Sequence, residues 1–489
     1  MLFNTLQFVI FFIVVTTAYF SLSWRGRWLL LLLASCYFYM VFKPVFILIL
    51  FATIVIDYFA GIWLEKVTDK GPKKALLILS LVSNIGILAF FKYYDFLGDT
   101  FNEISQALFS RNVIPDLQRL LPAPVAEWFL TGGGQLLLPI GLSFHTFQAM
   151  SYTIEVYRGH QKAERHFGIY ALYVMFYPQL VAGPIERPQN MLHQFHSYFE
   201  FNFEQFKSGL MQMAFGMFKK VVIADRLAMV VDPAYADPEG YNGISLLIAT
   251  VFYSFQIYCD FSGYSDIAIG AARVMGFKLM TNFRSPYESA SVSEFWSRWH
   301  ISLSTWFRDY VYIPLGGNRK GEIRRQFNLF TVFLISGLWH GASWNFVIWG
   351  ALHGIFSIVG DWNKKLWKKI GLYFPGNKGV RLFNVLLTFA LVTLAWVFFR
   401  NSSYPVERAF VILKKIVTLS GTNTIMTPLN PAEMWFSVML ILILLAKEHW
   451  IPTLPTKNTV VFFVTFITIA FVTLLFGVFN SNQFIYFQF

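Results

Sequence analysis

Residues 327–349 read FNLFTVFLISGLWHGASWNFVIW, an apolar run that contains no Asp, Glu, Lys or Arg. The run is longer than the ~20 residues that an α-helix needs to cross about 30 Å of hydrocarbon, so it predicts a transmembrane helix. At ~1.5 Å per residue, His340 lies about 20 Å from Phe327, at or beyond the middle of the membrane. Burial there disfavours the charged imidazolium, so we expect a neutral His340 that can accept a proton.

A structural hydrogen bond is the alternative role for a single histidine inside a membrane protein. Gly337, Gly341 and Ala342 favour a functional role, because small residues let a second backbone or a narrow ligand approach closely. The nine histidines include no HExxH motif and no pair at positions i and i+4, so we predict no metal site. His353 could line the same cavity as His340, but the sequence does not fix the distance between them.

The composition of the whole chain matches this run. Of the 489 residues, 56% are hydrophobic, 19% aromatic and only 13% charged, whereas soluble domains carry about 25% charged residues. This composition excludes a soluble protein. Cys36 and Cys259 both lie in apolar runs, which excludes a disulfide scaffold and a CxxC redox or metal motif. We therefore expect residues 1–489 to form a single integral membrane domain.

Further apolar runs recur along the chain at 2–22, 28–42, 45–64, 75–91, 135–156, 168–183, 208–231, 243–272, 350–361, 382–399, 432–446 and 459–478. The runs at 28–42, 168–183 and 350–361 are shorter than a single crossing requires, so each could be tilted, re-entrant or continuous with a neighbour. The pattern predicts an all-α multi-pass membrane protein with about eleven crossings.

The net charge of +12 comes from short basic clusters between apolar runs, which is typical of membrane orientation and does not favour a nucleic-acid partner. If those loops are cytoplasmic, the N-terminus lies outside. Residues 93–134, which contain several prolines and the Gly132–Gly134 run, then form an irregular extracytoplasmic loop. Residues 1–92 form the N-terminal spans, 135–362 a core and 363–489 the C-terminal spans, with membrane lipids around them.

Polar residues inside apolar runs are candidates for function, because each needs a partner or a wet cavity. His145, Gln148, Tyr152 and Glu155 are spaced by three and four residues, which places them on one inward face of a helix. The favoured interpretation is an interhelical hydrogen-bond stripe, and direct contact with substrate is the alternative.

A second polar group lies within residues 256–266. Asp260 and Tyr264 share a helix face, whereas Asp266 points elsewhere. Two interpretations stay open: Asp260 lines a pocket, and Asp266 forms a structural ion pair with an arginine. Asp57 is interpreted as a structural carboxylate and is left out of the candidate site.

The third polar group, residues 293–312, mixes tryptophans and tyrosines with charged residues around His300. This composition suits a membrane boundary or a re-entrant segment and is poor for a lipid-facing helix. Pro314 and Gly316-Gly317 then end the segment before a basic loop, Arg319 to Arg325.

With these segments in view, the chain resembles the membrane-bound O-acyltransferase family, and within it the bacterial branch that acetylates alginate. The resemblance rests on SFHTFQAMSYTIEVYRG, FYPQLVAGPIER, CDFSGYSDIAIGAARVMGF, SEFWSRWHISLSTWFRDYVYIPLGG and LWHGASWNFVIWG, and is strongest from about Leu138 to His353. It implies a ring of tilted helices with re-entrant segments around a central tunnel, in the bacterial inner membrane.

The resemblance also implies site residues and substrates. The invariant histidine of the family corresponds to His340, and its second polar residue corresponds to His300; these are the expected catalytic residues. The residues expected to line the tunnel or bind substrate are His145, Gln148, Tyr152, Asp260, Tyr264, Trp296, Trp339 and Asn345. No permanently bound cofactor is expected. Acetyl-CoA is the expected acyl donor, and the expected partners are extracytoplasmic proteins that O-acetylate a polysaccharide.

The expected reaction is acetyl transfer from a cytoplasmic thioester to a hydroxyl group, with His340 as general base. The donor is expected to enter near the basic loop Arg319 to Arg325, which suits its phosphates. Direct transfer and an acyl-His340 intermediate are both open. The alternatives to O-acetylation are D-alanyl transfer, acylation of a lipid or protein, and a non-catalytic transporter or flippase, which would keep moving its substrate without His340.

Overall fold

The computed structural model describes all residues except 116, 132–134, 182, 372–373, 375, 422–423, 480–483 and 486–489. Regular structure in the described residues is helical, and β structure there is limited to one isolated bridge between Leu130 and Leu136. The all-α prediction is confirmed. The Gly132–Gly134 run lies outside the described residues.

The chain forms two compact units. The first comprises Met1 and Thr5–Phe201, and the second comprises Leu2–Asn4 and Asn202–Phe489. That the two units work as a single membrane domain stays a prediction.

The helices of the first unit are α1 (Leu6–Ser21), α2 (Trp24–Met40), α3 (Ile47–Lys66), α4 (Lys70–Phe109), α5 (Leu117–Leu120), α6 (Ala123–Phe129), α7 (Leu142–Arg158), α8 (Phe167–Met175) and α9 (Pro188–Phe195), with a 3₁₀ turn at Pro44–Phe46. Asp57 on α3 ties this unit together. Its carboxylate accepts hydrogen bonds from Ser80 Oγ at 2.6 Å and from Asn84 Nδ2 at 2.8 Å, both on α4. These bonds satisfy a buried carboxylate and support its structural interpretation.

Helix α4 is longer than the sequence suggested. It runs for 40 residues, about 60 Å at ~1.5 Å per residue, so the prediction of an irregular loop from residue 93 is wrong up to Phe109. Polar residues such as Asp95 and Asp99 end the apolar run, but they do not break a helix, and residues 93–109 contain no proline. The helix ends at Ser110, whose φ of 54° is left-handed.

The helices of the second unit are α10 (Phe203–Met217), α11 (Asp225–Ala236), α12 (Gly243–Val274), α13 (Val292–Arg298), α14 (Ile301–Phe307), α15 (Glu322–His340), α16 (Trp344–Lys369), α17 (Lys378–Arg400), α18 (Val406–Thr418), α19 (Pro431–Trp450) and α20 (Thr459–Phe476). Two π-helical segments (Phe218–Ala224 and Arg308–Tyr312) and a 3₁₀ turn (Pro286–Glu288) interrupt them.

Helix α12 is the centre of the second unit, and it packs against α10, α11, α17 and α18. The closest approach is to α10. A Cβ at Gly263 would lie 2.7 Å from the Gly216 carbonyl oxygen, and a Cβ at Gly216 would lie 2.6 Å from the Gly263 oxygen. Only glycine permits this backbone contact, which fixes the register of the polar residues that α12 carries.

Among the described residues, five helices are long and apolar enough to cross a membrane. They are Phe46–Lys66, Lys70–Phe109, Gly243–Val274, Lys378–Arg400 and Thr459–Phe476. Side chains such as Leu474, which is 71% exposed, give α20 an outward apolar surface that suits lipid. A multi-pass membrane protein is confirmed. The count of about eleven crossings, the re-entrant segments and the central tunnel stay predictions.

Candidate active site

His340 lies at a bend, and the prediction of one continuous helix over residues 327–349 is wrong. Helix α15 ends at His340, and α16 begins at Trp344 after Ser343, whose hydroxyl caps the Asn345 N–H. A Cβ at Gly337 would lie 2.3 Å from the Phe346 carbonyl oxygen. The small residues beside His340 therefore admit a second backbone, and the chain folds into a hairpin of two closely packed helices.

Aromatic rings surround the buried imidazole of His340, which is 4% exposed. Trp349 and Phe399 meet it edge-on, with ring centroids at 5.0 and 5.2 Å, and Trp339 lies at 4.9 Å. These rings enclose the imidazole in an apolar setting and limit its rotation.

His300 has an unusual backbone. It joins α13 to α14 with φ 44° and ψ 54°, in the left-handed region that costs a residue with a Cβ about 1 kcal/mol or more. Asn282 stabilises this corner: its carbonyl accepts from the Ile301 N–H at 2.9 Å, and its side chain accepts from the Ser302 hydroxyl at 2.9 Å. Strained backbone maintained by its surroundings is typical of functional sites.

The two histidines meet at a shared aromatic ring. Trp339 lies 6.1 Å from the His300 ring and 4.9 Å from the His340 ring, measured between centroids. His300 is fully buried, and Phe261 of α12 meets it edge-on at 4.6 Å. Helices α12, α14 and α15 thus bring together the two residues that were expected to be catalytic.

A cavity of about 250 Å³ is lined by residues of α13, α14, the π-helical segment Arg308–Tyr312 and α15. It is bordered by Trp296, Leu303, Ser304, Phe307, Arg308, Tyr312, Leu329, Val332, Phe333 and Ser336. Ser336 precedes His340 by one helical turn and so lies on the same face of α15. Arg308 has a side chain that is 60% exposed and that pairs with Asp309 at 2.7 Å. The cavity wall therefore includes a residue one helical turn from His340 and a partly exposed arginine.

Of the residues in this wall, Trp296 was expected from the sequence, whereas Ser336 and Arg308 were not. Ser336 could have been found, because a residue four positions before His340 shares its helix face. Arg308 could not, since its place depends on the π-helical segment Arg308–Tyr312. Neither His300 nor His340 is among the residues that border the cavity.

The basic loop is partly neutralised. Arg325 pairs with Glu322 at 2.7 Å and with Asp361 at 2.8 Å, and Lys365 also pairs with Glu322 at 2.7 Å. The Arg325 hydrogen bonds, followed by the Lys365 bond, lower the pKa of Glu322 to about 2. Arg319, the first residue of the basic loop, is exposed.

Asp260 and Tyr264 contact residues near the two ends of the chain. Asp260 pairs with Lys220 at 2.6 Å and accepts from the Ile485 N–H at 2.7 Å. Tyr264 is stacked between Phe3 and Phe484, each with a centroid 4.4 Å away. These contacts favour a structural role, and tunnel lining by either residue stays a prediction.

Asp266 forms its ion pair with Lys219, at 2.5 Å, rather than with an arginine. Asn345 is also tied to the backbone, since its Nδ2 donates to the Tyr404 carbonyl at 2.8 Å. It links α16 to the segment after α17.

The polar stripe of α7 belongs to the first unit. Gln148 donates to the Tyr173 carbonyl at 2.5 Å, and the Tyr152 hydroxyl accepts from the Glu164 N–H at 2.9 Å. His145 is buried and lies edge-on to Tyr39 at 6.1 Å. The stripe contacts neighbouring helices and loops, which favours the structural interpretation over substrate contact.

Comparison with known proteins places this site in a family. The profile of the membrane-bound O-acyltransferase family matches residues 160–403, which include both His300 and His340. A peptidoglycan O-acetyltransferase of Helicobacter pylori is 36% identical over 86% of this chain and 81% of its own length. A probable alginate O-acetylase AlgI of Pseudomonas aeruginosa is 38% identical over 83% of this chain and 73% of its own.

A teichoic acid D-alanyltransferase of Streptococcus thermophilus is similar over a shorter part, with 30% identity over 55% of this chain and 70% of its own length. The matches to O-acetyltransferases therefore cover more of the chain at higher identity. The buried histidine pair, the membrane-spanning helices and these relatives agree, and the protein is an AlgI-like acyltransferase that belongs to the membrane-bound O-acyltransferase family.

Proposed function

We propose that the protein transfers an acetyl group from cytoplasmic acetyl-CoA to a hydroxyl group of an extracytoplasmic polysaccharide such as alginate, or to a partner protein that acetylates it. The observation that carries this proposal is the packing of His300 and His340 against the same ring, Trp339, together with a cavity whose wall includes Ser336, one helical turn before His340. The proposed location is the bacterial inner membrane.

In the proposed reaction, the acceptor oxygen attacks the thioester carbonyl carbon while His340 takes the hydroxyl proton. The carbon–sulfur bond then breaks, and the leaving thiolate receives that proton from the His340 imidazolium. General base catalysis of this kind typically contributes about 10²–10⁴ in rate. His300 orients the donor or stabilises the negative charge on the carbonyl oxygen, a role for which its strained, fixed backbone suits it.

The cavity beside Trp296 is the proposed route of the donor's acyl end. Its volume of about 250 Å³ is at the lower limit for ligand pockets, about 300 Å³, and favours a short acyl group over a long chain. Arg319 in the basic loop is the cation proposed to hold the donor phosphates, with Arg308 beside the cavity as a second, although Asp309 pairs with Arg308 at 2.7 Å. Arg325 is less suited to that role, because Glu322 and Asp361 already neutralise it.

The relatives support acetyl as the transferred group and suggest two candidate acceptor polysaccharides. O-acetyltransferases match more of this chain than the D-alanyltransferase does, which supports acetyl over D-alanyl transfer. Those relatives act on peptidoglycan and on alginate, as their names state. Extracytoplasmic O-acetylation proteins are the proposed partners that pass the acetyl group on.

The test is mass spectrometry of envelope polysaccharides from cells that make wild-type or His340→Ala protein. We expect O-acetyl groups on one polysaccharide to disappear in the variant while membrane levels of the protein stay normal. His193→Ala is the matched control, because His193 is an exposed histidine outside the site, and it should keep full acetylation. Unchanged acetylation with His340→Ala would refute the assigned role. Persistent substrate movement without acyl transfer would instead support a transporter.

A further inference from the structure

Trp296, in the wall of the cavity, is held by a residue that the proposed reaction does not use. Its indole Nε1–H donates to Nδ1 of His353 at 3.2 Å. Trp296 lies on α13 and His353 on α16, so the bond joins two helices. Both side chains are buried, and His353 is 0% exposed.

The hydrogen bond fixes the state of the imidazole. An Nδ1 that accepts must lack a proton, so His353 is neutral with its proton on Nε2. A protonated ring would direct an N–H toward the indole N–H and break the contact. Burial among Trp349 at 4.8 Å, Phe295 at 6.4 Å and Phe333 at 6.2 Å disfavours that charged form.

His353 also contacts a second part of the cavity wall. The rings of Trp296 and Phe333, which both border the cavity, lie 5.5 Å apart and meet nearly edge to face. The His353 ring lies 5.1 Å from Trp296 and 6.2 Å from Phe333. One imidazole therefore supports two of the aromatic side chains that set the width of the cavity.

We propose that His353 is a positioning residue that fixes the indole of Trp296 and thereby limits the acyl group accepted in this cavity to a short one. The inference rests on the proposed function, since it takes the cavity to hold the acyl end of the donor. Without the acceptor nitrogen, the indole would leave a buried N–H unsatisfied and would turn toward another partner. That rotation would widen the cavity and admit a longer acyl chain.

The test compares acetyl-CoA with butyryl-CoA as donors for the full-length protein in membrane vesicles from its own cells, read as CoA thiol released. For His353→Leu, which removes the acceptor but keeps an apolar side chain, we expect the butyryl-to-acetyl ratio of kcat/KM to rise about fivefold to tenfold, as the loss of one hydrogen bond allows. His353→Asn places an amide oxygen near the position of Nδ1, and it should restore the wild-type ratio.

Trp296→Phe removes the donor of the same bond and tests it without altering His353. It should raise the ratio at least as much, because the smaller ring also widens the cavity, and adding His353→Leu should raise it no further, because the hydrogen bond is already absent. Trp28→Phe is the matched control: Trp28 lies in the first unit, meets a different histidine, His166, edge-on at 4.6 Å and does not border the cavity, so the ratio should not change.

Three results would overturn the inference. An equal fall in kcat/KM for both donors would make His353 merely structural. Failure of His353→Asn to restore the butyryl-to-acetyl ratio, at protein levels that match the wild type, would also make His353 merely structural. A wild-type protein that releases thiol from neither donor would refute the proposed function, and the inference would fall with it.

Discussion

The protein buries two polar clusters that differ in how their side chains are held. On α7, in the first unit, Gln148 and Tyr152 are engaged by backbone groups of neighbouring segments at 2.5 and 2.9 Å. In the second unit, His300 and His340 are packed by aromatic rings and share Trp339. Hydrogen bonds to backbone stabilise helix packing in a membrane, whereas close aromatic packing restricts the orientation of an imidazole.

The difference shows that helical spacing alone does not separate a structural polar face from a reactive one. Both clusters consist of buried polar residues in apolar surroundings, and both looked suited to line a tunnel. The contacts distinguish them: α7 uses its polar atoms to hold its neighbours, and the second unit adds a strained backbone at His300 and an adjacent cavity. Four predictions test this comparison.

The largest expected effect is on catalysis by His340. His340→Gln should lower acetyl transfer by about 10²–10⁴, because the amide cannot take a proton. The paired variant His145→Gln should retain transfer if α7 is structural. Release of thiol from acetyl-CoA in membrane vesicles, corrected for protein amount, measures both. Equal losses in the two variants would contradict the distinction between the clusters.

The next effect concerns His300. His300→Asn should lower acetyl transfer by about 10²-fold through loss of the imidazole, with little change in Tm, because asparagine tolerates left-handed backbone. His300→Val should lower Tm as well, since a β-branched residue at a φ of 44° adds strain. Thermal unfolding in detergent together with the thiol assay separates the two outcomes. If asparagine keeps full activity, the imidazole of His300 is not required and a side-chain N–H donor suffices.

A smaller effect is expected on the stability of the first unit. Gln148→Leu should cost about 1 kcal/mol in free energy of unfolding by removing its bond to Tyr173. Gln106→Leu, at an exposed position on α4, is the matched control and should cost less. Denaturant unfolding in detergent measures both. Full stability with loss of acetyl transfer would instead place Gln148 in substrate contact.

The smallest effect belongs to the exposed start of α15. The bonds of Glu322 to Arg325 and Lys365 lower its pKa to about 2. These bonds therefore stabilise the fold fully at pH values above the ordinary carboxyl pKa of about 4.3. The stabilisation is lost as the pH falls toward 2. Glu322→Gln should therefore lower Tm slightly at pH 7, with a difference that fades in acid and in high salt. A difference in Tm that grows in acid would contradict this sign.

Much of the candidate site could be predicted from the sequence. Apolar run lengths predicted an all-α membrane protein, and motif resemblance identified the family together with His300 and His340. The end of α15 at His340 was missed because residues 327–349 read as one apolar run, and only a Ser343 cap signals the break. The full length of α4 was missed because polar residues beyond residue 92 resemble a loop in composition but still form a helix.

The amino-acid sequence by itself determined that this chain lies in a membrane as helices, because its continuous apolar runs are long enough for helices that satisfy their own backbone groups in lipid. Only the tertiary structure decided which buried polar residues meet. Trp296 and His353 are 57 residues apart in the chain, and His300 reaches His340 across Trp339. Close helix contacts such as those at Gly216 and Gly337 determine which side chains come into contact, since backbone contact fixes helix register to within a fraction of a turn.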